Sequence, residues 1–127
     1  MNLIPFATLV QDAGLGALGV DLFLQMLPAQ AQAGTLLRNT LSPPVVNYEI
    51  PGYFHGEFQL IVRGSGYVTG PALIEEIIKV ITLQETQLDG YYIRYARPQT
   101  LPVSFPMSKG NLVETSVTFD ICFMVDQ

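Results

Sequence analysis

The sequence predicts an α+β fold: a mostly antiparallel sheet with two helices packed on one face, plus an extended hairpin or strand used in oligomer contacts. Residues 113–125 alternate without a break, with Val, Thr, Val, Phe, Ile, Phe and Val at the odd positions and Glu, Ser, Thr, Asp, Cys and Met at the even ones. That period of two marks a strand with one face in a core. Residues 69–83 instead place Leu73, Ile74, Ile77, Ile78 and Ile81 on one stripe, with Glu75, Glu76 and Lys79 opposite, which is the period of an amphipathic helix. The remaining segments read as short strands broken by proline and glycine and joined mostly in antiparallel fashion, so the helices belong on one side of the sheet.

In chain order, the first element is a short helix over residues 4–13. Phe6, Leu9, Val10 and Ala13 share a face, Pro5 suits the first turn and Gly14 the position after the C-cap. "GLGALGV" is too glycine-rich for a helix interior and delivers the chain to "DLFLQMLP", a strand ended by Pro28. "AQAQAG" is a small polar connection, and "TLLRNT" returns as a hairpin partner. Pro43, Pro44 and Pro51 make the next stretch an extended, surface-hugging link. From Phe54 to Arg63 alternation returns, with Phe58, Leu60 and Val62 on one side and Glu57, Gln59, Ile61 and Arg63 on the other; "GSG" closes that strand. The helix over 69–83 is capped by Thr69 or Gly70 and has Pro71 in its first turn. "QLDG" turns the chain into "YYIRYARP", a strand stopped by Pro98, and "QTLPVSFPMSKGN" reads as irregular. The final strand, 113–125, spans roughly 43 Å at about 3.3 Å per residue, about twice a usual strand. A strand of that length either crosses a whole sheet or projects to pair with a neighbour.

The 127 residues are read as one domain, 1–127, long enough to bury a core. Hydrophobic residues make up 49% of the chain and charged residues only 13%, against about 25% charged in an average soluble chain. Such a shortfall points to a surface covered by other protein; the alternative is a monomer coated with Ser, Thr, Gln and Asn. The most apolar stretch, "LGALGVDLFLQML", is broken by Asp21 and Gln25, too short for a membrane span, and the start has no basic region of a signal peptide. No membrane partner is expected.

Chemistry has few residues to use. The single cysteine, Cys122, excludes an intrachain disulfide, and with one histidine, His55, no Cys/His set for zinc exists. His55 lies in no motif and reads as a surface or turn residue rather than a general base; Cys122 reads as packing. Glu75 and Glu76 diverge by about 100° on a helix and form no dyad. "GSGYVTG" precedes a helix but lacks the ending of a phosphate-binding loop. "YYIRYARP" interleaves tyrosines with Arg94 and Arg97, as a single-strand nucleic-acid platform does, but a net charge of −5 gives that reading no second basic patch. The sequence contains no catalytic set, no metal site and no cofactor site.

Several stretches together resemble a family. "LVQDAGLGALGVDLFLQMLP", residues 9–28, is similar to the N-terminal region of the tail terminator proteins of long-tailed bacteriophages, which open with a short helix, a Gly-rich link and a strand ending in Leu-Pro. "FQLIVRG", 58–64, resembles the family's strand ending in Val-Arg, "TGPALIEEIIKVIT" its amphipathic helix, and "LVETSVTFDICFMV" its closing strand. The resemblance implies an α+β subunit of a homohexameric ring that stops tail-tube polymerisation and joins the tail to the head connector, without catalysis or cofactors. It implies the tail tube protein and the head–tail connector protein as partners, DNA passing through the lumen without specific binding, assembly in the host cytoplasm and a final place in the tail-neck region of the virion. On that reading Arg63 meets a carboxylate or backbone carbonyls of a neighbouring subunit, and Arg94 and Arg97 are further interface candidates. The rivals are another neck or tail component, such as a head-completion or tail-tube protein, a small nucleic-acid-binding α+β domain and a small-molecule enzyme.

Overall fold

A computed structural model describes residues 2–26, 33–41, 43–46, 49, 51–65, 69–106 and 112–125. The first helix, α1 (Ile4–Asp12), buries Phe6, Ala7 and Val10, has Pro5 in its first turn and ends where Gly14 takes φ +76°, as expected from the sequence. The Asn2 side chain accepts a hydrogen bond from the Ile4 N–H at 3.0 Å and so supplies one of the acceptors that a helix start lacks. The second helix, α2 (Thr69–Ile81), turns Ile74, Ile77 and Ile81 fully into the core. Gly70 lets its start sit close to β8: a Cβ there would lie 3.3 Å from the Thr115 hydroxyl oxygen, a tight approach.

Eight strands form one sheet among the described residues: β1 (Leu22–Leu24), β2 (Gly34–Asn39), β3 (Val45–Val46), β4 (Phe54–Ser65), β5 (Leu83–Leu88), β6 (Tyr91–Pro98), β7 (Val103–Pro106) and β8 (Leu112–Val125). Their order is β1-β2-β4-β8-β6-β5, with β3 also on β4 and β7 also on β8. Every pair is antiparallel except β1 with β2. Both helices cover the same side. Beneath them the inner row of β8, Val113, Thr115, Val117, Phe119, Ile121 and Phe123, is at most 4% exposed. Phe58 stacks on Phe119 at 5.1 Å between ring centroids and meets Phe6 of α1 at 4.9 Å, joining three elements through one aromatic column.

Four expectations need correction. The segments 22–24 and 34–39 do not make a hairpin; they run parallel, with Leu22 opposite Thr35 and Leu24 opposite Leu37. That pairing brings Leu22 under α1 on the same side as Leu37, both fully buried, and sets β1 on the edge of β2 that β4 does not occupy. Gln25, at φ +67°, ends β1; the expected stop at Pro28 lies outside the described residues. Residues 83–88 form a strand that the pattern hides, because Glu85, at φ +48°, breaks the alternation. Residues 103–106 also form a strand, placed on an edge where Pro106 is tolerated. Finally, the long last strand does not project. β4 covers it from Leu112 to Phe123 on one edge, and β6 and β7 in tandem cover the other, so its edges are satisfied within the chain. Part of the glycine-rich connection before α2, residues 66–68, lies outside the described residues.

Of the link before β4, Pro44 lies close on the sheet and Val45–Val46 pair with β4, while residues 42, 47, 48 and 50 lie outside the described residues. Gly56 is where it touches: a Cβ at that position would meet Pro44 at 3.3 Å.

Candidate interface on the open face of the sheet

The sheet face opposite the helices carries the arginines. Arg63 lies two residues before the end of β4, directly opposite Glu114 of β8. Its Nη2 donates to Glu114 Oε2 at 3.2 Å and its Nε approaches the same oxygen at 3.4 Å, with both side chains largely shielded at 15% and 20% exposure. A carboxylate for Arg63 is therefore supplied by its own chain. Phe105 of β7 lies across from Glu114 in the next strand and is 44% exposed, so the ion pair borders an apolar rim.

Arg97 belongs to a network crossing three strands. Its Nη2 lies 3.7 Å from Asp120 Oδ2 and its guanidinium sits 4.2 Å above the Tyr95 ring, a cation–π arrangement. The other carboxylate oxygen of Asp120 pairs with His55 Nε2, and the Tyr95 hydroxyl lies 3.4 Å from that same nitrogen. Burial raises the Tyr95 pKa first, and the nearby Asp120 and Cys122 raise it further. One row away, the Gln99 amide donates to Glu57 at 3.0 Å, and Arg38 Nε donates to Gln59 at 2.8 Å. His55, Glu57, Gln99 and Asp120, with Pro43 and Val45, line a shallow depression of about 250 Å³, below the usual range of about 300–1,000 Å³ for small-molecule sites.

Arg94 is set apart. The register between β6 and β8 slips between Ile93 and Tyr95, so Arg94 is the extra residue of a bulge and its side chain is exposed. The same slip keeps both Ile93 and Ala96 fully buried, and it explains why the "YYIRYARP" strand does not alternate cleanly. Beside it the Tyr92 hydroxyl donates to Glu85, and that bond raises the Tyr92 pKa.

The structure thus brings His55, Tyr95, Arg97 and Asp120 together and leaves Arg63 and Arg94 at separate places on the same face. The sequence singles out the arginines but not their carboxylates. Glu114 and Asp120 were visible as acidic residues on the polar row of the last strand; only the strand register assigns them to Arg63 and Arg97. Cys122 is fully buried, in keeping with its reading as a packing residue. Among the described residues no group of three His, Cys, Asp or Glu side chains is placed to hold a metal ion, and no helix is long and apolar enough to cross a membrane. The geometry is that of polar contacts tying strands together and presenting charged groups of both signs on the open face.

Comparison with protein families decides the family. The model for the bacteriophage tail terminator protein family matches residues 9–123. The chain belongs to that family. It is thereby a structural phage tail or neck protein. In this tail terminator family member the match takes in β1 to β7, α2, the C-terminal part of α1 from Leu9 and β8 as far as Phe123, and so includes Arg63, Arg94, Arg97, Glu114 and Asp120. Among solved structures, a chain in the virion of a native gene transfer agent particle is similar, with a TM-score of 0.62 and 14% identity over 94% of this chain and 84% of that one; at that identity the likeness shows the fold. Comparison with curated proteins gave no match.

Proposed function

We propose that the chain is a single-domain subunit, residues 1–127, of a homohexameric ring that caps the tail tube and joins it to the head connector. The family match over residues 9–123 carries this reading. The composition agrees, since 13% charged residues leave little to coat a free monomer. Its partners are further copies of itself, the tail tube protein and the head–tail connector protein, in the tail-neck region of the virion. Arg63, Arg94 and Arg97 act at subunit contacts, Arg63 through the rim that its pair with Glu114 shares with Phe105. The protein is not an enzyme and uses no cofactor. DNA passes through the lumen without specific binding, because a bore lined by many cations would hold phosphates.

The test is direct. Purified protein imaged by electron microscopy shows closed rings, particles lacking the gene carry tails of uncontrolled length, and adding the protein back restores a single length. Normal tail length without the gene overturns the proposal.

A further inference from the structure

We draw no further inference here: the strongest candidate, the apolar end of the open sheet face, where Phe23, Leu36, Ile61 and Val103 lie in one register row with Ser116 across β1, β2, β4, β7 and β8 beside the exposed Phe105, carries nothing, because nothing in the structure shows what covers it.

Discussion

Phe119 and Asp120 are consecutive residues of β8 with different work to do. Phe119 points under the helices, fully buried and stacked on Phe58. Asp120 points to the other side, 20% exposed, and ties His55 of β4 to Arg97 of β6. The same division runs along the strand, with aliphatic and aromatic side chains on the inner row and Glu114, Ser116, Thr118 and Asp120 on the outer. The inner row is held by shape, in a packed space where lost volume is not refilled. The outer row is held by polar contacts at a surface, each worth little for folding. One strand therefore separates the residues that make the fold from those able to change partners without unmaking it.

The comparison is broken most readily from the inner side. Phe119→Ala removes the sheet end of the Phe6–Phe58–Phe119 column and is expected to cost about 3–5 kcal/mol in a urea melt. A loss below about 1 kcal/mol would mean that the column is not the core. The intermediate case is the Arg63–Glu114 pair, shielded but on the outer row. A double-mutant cycle of Arg63→Ala and Glu114→Ala is expected to give a coupling of about 1–2 kcal/mol in the isolated fold, with a larger effect of Arg63→Ala on assembly if the arginine also serves a subunit contact. A coupling of zero would assign Arg63 to the surface alone.

The smallest effect is a pH dependence. Tyr95 has its pKa raised above the ordinary 10.0 by burial and by Asp120, and Tyr92 is raised through Glu85. As the pH climbs through about 10 the unfolded chain releases these phenolic protons before the folded one does, so stability is fully present below that pH and falls above it. Urea midpoints measured at pH about 9 and about 11 should show the fall, with part of the slope removed by Tyr95→Phe. Stability that rises over this interval would contradict the assignment.

Local pattern reached most of this architecture. The alternation of residues 113–125 and the stripe of Ile74, Ile77 and Ile81 both report a buried face, and the structure buries that row from Val113 to Phe123 and all three isoleucines, while Val125, expected in the same row, is 47% exposed at the strand end. What pattern did not reach was set by distant partners. The parallel run of β1 on β2 depends on which edge of β2 is vacant once β4 has paired. β5 is masked by the kink at Glu85, and β7 by its prolines. The site was legible to the same depth: arginine near the end of a strand is visible in the residues, whereas the identity of its carboxylate follows from the β4–β8 and β6–β8 registers.

The central ladder also constrains the order in which the molecule can form. Phe54 is partnered by Phe123 and Ser65 by Leu112, so α2, β5, β6 and β7 are all made between the two strands of the largest pairing in the sheet. Such distant contacts close slowly, because the intervening chain must surrender its freedom first. During synthesis β4 emerges with its whole β8 edge exposed and waits for residues 112–123 to leave the ribosome. Until then Phe58 and Leu60 lack their partners Phe119 and Val117. Premature association is thus open to a chain still being translated, and a host chaperone that shields this strand would raise the yield of native subunits without altering their final stability.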